Sequence, residues 1–507
     1  MNIQKLFADK TFHVSDAQEV PSFFRRASRR VPFSLELLIL LCVFLIGVGI
    51  SFWGPAFLLL FVAPIVIFLP KEVLIFSLLA SLTIDLTWIS EYLRFLPDIL
   101  TLVLFAKSLF YNKGIPLTKS AIKLPLFFLA CNLVLGLITN YETLQIGSVI
   151  YGFRVLFLDF LIFFALLRFN QPVSFYKKVI LMLFALMLLQ LPIQIIQRTF
   201  GFNWSNISYS FQTPWDNNAG TFGLNGTLKL TSLCMIVFAI ALSEVAFQKR
   251  TLLNIAMIAI IIFSLAITES KYGLLLVPVT AVFFTRKLWS NSPGNILKGL
   301  GLVIFVVALF TIGLLNIPQL SGTNNNSLLN QPAELWDAQF YLGDTTSSQG
   351  LPGRLGVFQL VDQYRAHVSD GNFQFLFGNG IGSTSDSSFT SLQGYLFRQF
   401  PFDQLGRTDA SRIWIEFGML GSVIYLWMYM LLLSRAAKIA ASLESLDDQL
   451  MGYSTYNCVM VGLLLTPYSP VTMGAVSGFS IWLMASMCEV IHNQNRIPDF
   501  EKLQARA

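Results

Sequence analysis

The chain has 507 residues, of which 55% are hydrophobic and only 12% are charged, and its mean hydropathy is +0.65. A typical soluble domain carries about 25% charged residues, so this composition excludes a soluble globule, a disordered tail and a nucleic-acid-binding module. The net charge is only +6, from 34 basic and 28 acidic residues, so the positions of the charges are more informative than their sum. We predict an all-α polytopic membrane protein.

Each helix that crosses a bilayer needs about 17–25 mainly apolar residues. On this basis the sequence predicts about 14 transmembrane helices. In chain order the apolar stretches are 36–51, 53–69, 72–88, 95–111, 124–139, 146–168, 179–197, 226–247, 251–268, 271–285, 298–316, 412–434, 453–467 and 471–489. Prolines interrupt or bound the stretches 95–111 and 453–467, which are therefore the least regular.

Basic residues are concentrated in every second connection between these stretches. If the N-terminus lies in the cytoplasm and the chain alternates, 24 of the 34 Lys and Arg residues fall on the cytoplasmic side. Cytoplasmic connections of membrane proteins carry such an excess of positive charge. We therefore predict that the N-terminal tail 1–33 and the C-terminal tail 490–507 are both cytoplasmic.

Two predicted external segments are too long to be simple turns. The longer one is rich in Ser, Thr, Asn, Gly and Gln, and it contains an amphipathic helical pattern at 354–368. The predicted organisation is a membrane block 34–316 that includes the external segment 198–225, then a large external loop 317–411, and then a second membrane block 412–489. The large loop is predicted to contain short helices.

Arg154 is a charged residue inside a predicted membrane helix. It lies about eight residues into the stretch 146–168, and therefore about 12 Å below the outer surface. A charge at this depth indicates a functional site by default. The alternative is an arginine that locks helix packing by binding Asp85, Asp98 or Asp159, and both interpretations are open at this point.

Other basic residues also lie on the predicted external side, against the general charge bias. They are Lys271, Arg354, Arg407 and Arg412, together with Arg94, Arg198, Lys229, Arg365 and Arg398. Arginine binds phosphate oxygens bidentately, and fixed cations in a dry site stabilise a leaving diphosphate without a metal. Of the basic residues named so far, Arg154, Lys271, Arg354, Arg407 and Arg412 are predicted to form a polyprenyl diphosphate site. Aromatic rings stack on sugar faces, so the external residues Trp204 and Trp215 are predicted to contact the glycan, together with the polar residue Asp216.

Asp409, Arg412 and Glu416 are spaced i, i+3 and i+7, so they share one face of a predicted helix. If Asp409 is the N-cap of that helix and Arg412 forms a surface ion pair, two of the three are explained without function. Glu416 lies about one turn deeper and is not explained in this way. The three residues therefore remain candidates for the site.

Nucleotides and metals are not expected as ligands. The run Gly378-Asn379-Gly380-Ile381-Gly382 indicates a turn, because it has neither the Lys-Ser/Thr pair of a phosphate-binding loop nor a preceding strand. His367 stands alone in its loop and is more typical of a surface residue than of a base. Cysteines and histidines show no metal-binding spacing.

Several short motifs follow one another along residues 150–425. They are Gly152-Phe153-Arg154, Ala219-Gly220-Thr221-Phe222-Gly223-Leu224-Asn225, Thr268-Glu269-Ser270-Lys271-Tyr272-Gly273, Gly353-Arg354-Leu355, Phe377-Gly378-Asn379-Gly380-Ile381-Gly382 and Glu416-Phe417-Gly418-Met419-Leu420-Gly421. Their order, and the large loop among them, resembles the O-antigen polymerase and O-antigen ligase superfamily. Members of that superfamily are polytopic inner-membrane glycosyltransferases that use undecaprenyl-diphosphate-linked glycans.

The sequence departs from the family pattern at three places, and one of them, a missing histidine, favours the polymerase branch. Lys271 stands where the family usually has arginine, and Trp215-Asp216-Asn217-Asn218 replaces the basic residue that ligases place before Gly-Thr-Phe. Arg407 occupies the position, eleven residues before Gly418, where ligases have a histidine. The resemblance therefore implies a polymerase whose general base is unassigned.

The resemblance implies chain extension at the outer face of a bacterial inner membrane. A sugar hydroxyl of one lipid-linked repeat unit attacks the anomeric carbon of another glycan, and polyprenyl diphosphate leaves. The implied diphosphate ligands are Lys271, Arg354 and Arg412, with Arg154 and Arg407, and the candidate proton acceptors are Asp409, Glu269, Glu416 and His367. The implied partners are the polyprenyl-diphosphate-linked glycan, membrane lipids, a chain-length regulator and a flippase, and no cofactor is implied.

Three other functions remain open: ligase-type glycan transfer, transport or flipping of a lipid-linked glycan, and a non-catalytic scaffold of an export complex. A transporter also suits this number of helices. Transporters often contain internal repeats and broken helices at the membrane midplane. No repeat relates the halves of this sequence, and its polar residues cluster on the external side, so transfer is favoured over transport.

Overall fold

In a computed structural model the chain is described over residues 69–86, 91–110, 115–116, 119–200, 218–223, 226–268, 270–284, 301, 304–306, 308, 372–387, 390–400, 405–406, 408–442, 445–467 and 476–496. These residues form α-helices, short 3₁₀ turns and connections, with no β-strand among them. The predicted all-α class is therefore confirmed for this part of the chain. The predicted amphipathic helix 354–368 and the predicted helix 36–51 lie outside it, as does the stretch 53–69 except for Leu69.

Thirteen α-helices are described with both of their ends, and residues 301, 304–306 and 308 are also helical. In chain order they are α1 (Lys71–Thr83), α2 (Leu96–Leu109), α3 (Lys123–Thr139), α4 (Ile146–Phe169), α5 (Val173–Phe200), α6 (Thr227–Ala246), α7 (Thr251–Ile267), α8 (Lys271–Phe284), α9 (Asn372–Phe377), α10 (Tyr395–Gln399), α11 (Asp409–Ala440), α12 (Leu446–Leu465) and α13 (Val476–Arg496). Most apolar stretches coincide with a helix to within a few residues. The last helix, α13, continues to Arg496 and so extends into the predicted C-terminal tail 490–507.

Four of the described helices, α4, α5, α6 and α11, are long and apolar enough to cross a membrane. The helices α3 and α7 are also apolar but have 17 residues each. These helices support a membrane protein. The larger number of spans read from the sequence stays a prediction.

Contacts between helix termini divide the described helices into two ends. At one end the amide of Asp85, just after α1, donates to the carbonyl of Thr221, just before α6, at 2.7 Å. At the other end Arg435 of α11 pairs with Glu489 of α13 at 3.3 Å. We call the first the cavity end; it comprises the C-terminal ends of α1 and α5 and the N-terminal ends of α2, α4, α6 and α11. The second, the basic end, carries the connections that the sequence predicts to be cytoplasmic.

The helix α6 lies in the middle of the bundle, with nearly all of its residues buried. It packs against α5, α7, α8, α12 and α13. A second aromatic core forms where Trp482 of α13 contacts Phe160 and Phe163 of α4 and Tyr429 of α11. The peripheral helices α3, α4, α5 and α11 each keep exposed large apolar side chains, such as Phe127, which are typical of contact with lipid.

Candidate functional site

A cavity of about 340 Å³ lies at the cavity end, among α1, α2, α4 and α6. Its charged lining comprises three basic side chains, Arg94, Arg154 and Lys229, and three carboxylates, Asp85, Asp98 and Asp159. Apolar residues such as Leu158, Ile162 and Phe222 complete the walls. The cavity therefore combines anion-binding and proton-accepting groups next to apolar helix surfaces.

Arg154 of α4 is held on several sides. Its Nε forms a salt bridge with Asp98 of α2, and its Nη2 donates to the carbonyl of Arg94 at 3.5 Å. The guanidinium also lies 4.8 Å from the ring centre of Phe95 and 5.3 Å from that of Tyr151. The packing interpretation is thus confirmed for Asp98, while a quarter of the arginine side chain, 25%, remains exposed. Arg154 is both a packing residue and part of the cavity wall.

Lys229 lies in the first turn of α6. Its side chain is exposed although protein surrounds it, because the space that it faces is the cavity. Electrostatic interactions connect it with Asp85, Arg94 and Arg154. The N-terminus of α6 adds the partial positive charge of the helix dipole at the same place. Lys229 is therefore a cation presented to whatever occupies the cavity.

The segment before α6 forms one wall of the cavity. Thr221 donates from Oγ1 to the carbonyl of Thr83 at 2.6 Å, and its own carbonyl accepts from the amide of Asp85. Gly223 has φ 73° and ψ −167°, a conformation that is essentially restricted to glycine. A Cβ at this position would lie 2.1 Å from Oδ2 of Asp85. The Gly-Thr-Phe-Gly motif therefore brings the carboxylate of Asp85 and the ring of Phe222 to the cavity.

Three buried glutamines on one face of α5 hold this segment in place, and we call them the glutamine ladder (Gln190, Gln194 and Gln197). Gln190 accepts from the amide of Thr221 at 2.9 Å. Gln197 exchanges two hydrogen bonds with the backbone of Gly220, at 2.8 and 2.9 Å. Because buried amides need hydrogen-bond partners, the ladder fixes a short 3₁₀ segment, Gly220–Phe222, inside an apolar bundle.

A second polar cluster lies beside the cavity. Arg412, in the first turn of α11, is only 8% exposed, and its Nη2 lies 3.8 Å from Oδ1 of Asp386. Electrostatic interactions connect Tyr151 with Asp386, Arg154 and Arg412. The structure thus brings two of the predicted diphosphate ligands, Arg154 and Arg412, to the neighbourhood of one tyrosine.

Glu416 anchors residues 378–387, which we call the glycine turn. Its carboxylate is 3% exposed and accepts three hydrogen bonds. The donors are the amide of Gly382 at 3.1 Å, the amide of Thr384 at 3.3 Å and Oγ1 of Thr384 at 2.6 Å. Glu416 therefore has a structural role, because it holds the glycine turn, and this role accounts for a carboxylate about one turn inside the helix. Its role as a proton acceptor stays a prediction.

The glycine turn docks into a kink of α11. Gly418 has φ 69° and ψ −168° and breaks the helix. A helix end leaves carbonyls without intrahelical partners, and here the carbonyls of Ile415 and Glu416 accept from the amides of Asn379 and Gly380, at 2.8 and 3.2 Å. The interpretation of the glycine run as a turn is therefore confirmed.

The suggestion that Asp409 caps α11 is wrong, because Thr408 is the N-cap. Oγ1 of Thr408 accepts from the amide of Ser411 at 3.1 Å, and Oγ of Ser411 accepts from the amide of Thr408 at 3.2 Å. These two bonds form a capping box. Asp409 follows as the first helical residue and has 0% exposure. The positive end of the helix dipole stabilises a negative charge at this position.

The other predicted site residues lie elsewhere. Glu269, His367, Arg354, Arg407, Trp204, Trp215 and Asp216 fall outside the described residues. Of Lys271 only the backbone is described, as the first residue of α8. Within the described ranges no group of three or more His, Cys, Asp and Glu side chains is placed to hold a metal ion.

The sequence contained a signal for only part of the observed cluster. Arg94 and Lys229 both break the positive-inside bias, yet they were not assigned to the site. Asp85 was considered only as a partner of Arg154, although it lines the cavity itself. Asp386 carries no local signal, because its proximity to Arg412 arises from the docking of the glycine turn.

No family model matches the chain, and no curated protein matches it either. The resemblance to the O-antigen polymerase and ligase superfamily therefore stays a prediction that rests on the motifs alone.

Proposed function

We propose that the protein is a polysaccharide polymerase of a bacterial inner membrane, which transfers glycan from polyprenyl diphosphate to a sugar hydroxyl of a lipid-linked repeat unit. In this proposal the cavity end faces outward and both termini lie in the cytoplasm. The observation that carries the proposal is the cavity in which Arg94, Arg154 and Lys229 meet at the ends of apolar helices. A lipid diphosphate has the matching arrangement, with a charged diphosphate attached to an apolar tail.

Arg154 is suited to stabilise a leaving diphosphate because its position is fixed before any ligand arrives. Asp98 and the ring of Phe95 hold its guanidinium while part of the side chain stays exposed to the cavity. Fixed charges of this kind stabilise charge that develops in a transition state without the cost of reorganisation. In glycan transfer from a lipid diphosphate, negative charge develops on the diphosphate oxygen that leaves the anomeric carbon, and that charge has to be stabilised.

Lys229 complements the fixed arginine with a flexible ammonium. Among the described residues it forms no salt bridge, so its three N–H donors are available to phosphate oxygens. The three carboxylates of the lining balance its three cations in formal charge, and charged groups at membrane depth are costly unless they are balanced. The lining is therefore stable at this depth, and its cations remain able to bind an anionic ligand.

The experiment uses the purified protein in lipid nanodiscs, with lipid-linked repeat units, a chelator and no nucleotide sugar. We expect products longer than one repeat unit. Lys229→Met is expected to lower the polymerisation rate by about 10²-fold, the effect of removing one transition-state donor. Arg154→Lys, which retains a cation beside Asp98, is expected to lower it to a smaller extent.

Lys123→Met is the matched control, because Lys123 is exposed at the basic end. It is expected to polymerise at the wild-type rate. A wild-type protein that elongates nothing contradicts the proposal, and transfer to an acceptor other than a lipid-linked repeat unit indicates a ligase. Movement of intact repeat units across vesicles without elongation indicates a transporter.

A further inference from the structure

We infer that Asp386 is the general base of this transfer, the carboxylate that accepts the proton of the attacking sugar hydroxyl. The inference rests on the proposed function. Asp386 lies in the glycine turn, outside the described membrane helices, and its side chain is 62% exposed. An acceptor sugar is polar and approaches from water, so its base has to be reachable from the aqueous side.

The backbone around Asp386 is fixed on both sides. The carbonyl of Ser385 accepts from the amide of Gly394 at 2.9 Å. The carbonyl of Ser387 accepts from Nε2 of Gln393 at 2.9 Å. An exposed side chain on a well-held backbone combines access with defined position, which a catalytic base requires.

Three charged or titratable groups interact electrostatically with Asp386, and one of them lies within 4 Å. Arg412 of α11 lies at 3.8 Å, and electrostatic interactions connect the carboxylate with Tyr151 of α4 and Lys229 of α6. Tyr151 also contacts Arg154. Asp386 is thus a water-accessible carboxylate in the polar cluster beside the cavity, and in our inference the attacking hydroxyl lies between this cluster and the cations of the cavity.

The other carboxylates near these cations are all less exposed than Asp386, and Asp159 of the cavity lining is buried. Asp98 forms the salt bridge with Arg154, and Glu416 accepts three hydrogen bonds from the glycine turn. Asp409 has 0% exposure. Asp85 lines the cavity and packs against Gly223, and it is the second carboxylate to compare by experiment.

The proposed step balances as a displacement at the anomeric carbon. The hydroxyl oxygen forms the new bond to that carbon, and its proton moves to the carboxylate of Asp386. The bond between the anomeric carbon and the diphosphate oxygen breaks, and the electron pair leaves on the diphosphate, next to Arg154 and Lys229. The proton then returns from Asp386 to water.

The test is the kinetics of Asp386→Asn in the polymerisation assay. We expect turnover to fall by about 10²–10⁴-fold, the usual contribution of a general base, while KM for the lipid-linked donor changes less than about threefold, since no diphosphate ligand is lost. Asp386→Glu, which keeps a carboxylate, should retain most of the activity.

Glu142→Gln is the matched control and should leave the rate unchanged, because Glu142 is an exposed carboxylate at the cavity end whose side chain accepts from its neighbour Tyr141. The inference is overturned by wild-type turnover in Asp386→Asn, by a loss confined to KM, or by a large rate loss in Asp85→Asn alone. It is also overturned if Asp386→Asn fails to fold, since that result makes the residue structural. Failure of the wild-type protein to polymerise is a separate result, and it rejects the proposed function itself.

Discussion

Gly418→Ala adds one methyl group at the joint between the glycine turn and the kink of α11. The new Cβ would lie 2.5 Å from the backbone nitrogen of Gly378 and 2.5 Å from the carbonyl oxygen of Leu376. Both neighbours are backbone atoms, which cannot rotate away as a side chain does. The substitution therefore forces the turn out of the kink, or forces residue 418 out of its conformation.

The expected cost follows from these contacts. A non-glycine residue at φ 69° and ψ −168° is strained by about 1–3 kcal/mol. Displacement of the turn removes the backbone hydrogen bonds from Asn379 to Ile415 and from Gly380 to Glu416, at about 0.5–1.5 kcal/mol each. We therefore expect the free energy of unfolding to fall by about 2–6 kcal/mol.

Thermal unfolding in nanodiscs measures the loss, and amide hydrogen exchange over residues 378–387 localises it. Gly301→Ala is the control, because a Cβ at Gly301 meets nothing within 4 Å. We expect faster exchange in the glycine turn of Gly418→Ala and wild-type exchange in Gly301→Ala. Equal melting temperatures and equal exchange in the two variants would refute the docking of the turn into the kink.

Two further predictions concern the basic end. Arg435→Met leaves the carboxylate of Glu489, which has 0% exposure, without its guanidinium partner. We therefore expect the free energy of unfolding to fall by about 3–5 kcal/mol, and we expect the added substitution Glu489→Gln to restore part of that loss. An unchanged melting temperature in Arg435→Met contradicts this prediction. The hydrogen bond from Lys177 lowers the pKa of Asp447 from its ordinary value of 3.8, and since the two side chains are 36% and 43% exposed, solvent screening limits the pair to about 1 kcal/mol. Because the pKa is lower in the folded state, this stabilisation is present above about pH 4 and is lost as the pH falls through the folded value. In melting curves recorded across that range, Lys177→Met should lack this part of the acid sensitivity, and the exposed Lys438→Met should retain it; identical curves for both variants count against the prediction.

The sequence predicted the longer described helices well because each one is a local pattern, whereas the short helices α9 and α10 were predicted only as unplaced helices of the large loop. The stretch 95–111 appeared irregular owing to Pro97, but the proline lies in the first turn of α2, where a missing amide hydrogen is harmless. The pairing of Arg154 with Asp98 was also among the expected alternatives. In these cases the signal was a run of apolar residues or a charge that needed a partner.

The rest depends on contacts between distant parts of the chain. The kink at Gly418 receives a turn that lies about 40 residues earlier, and no local pattern encodes this docking. The proximity of Asp386 to Arg412 follows from it. Lys229 resembles an ordinary helix-terminal lysine until α1, α2 and α4 enclose the space that it faces. These features can be identified only from the tertiary structure.

The glutamine ladder has a consequence for how the protein enters the bilayer during synthesis. Gln194 accepts from Oγ of Ser264 in α7 at 2.6 Å and donates to the carbonyl of Asn218 at 3.2 Å. Both partners leave the ribosome after α5, and an amide left alone in hydrocarbon is costly. We therefore expect the insertion machinery to retain α5 until α7 arrives, so that these segments pass into lipid as one unit.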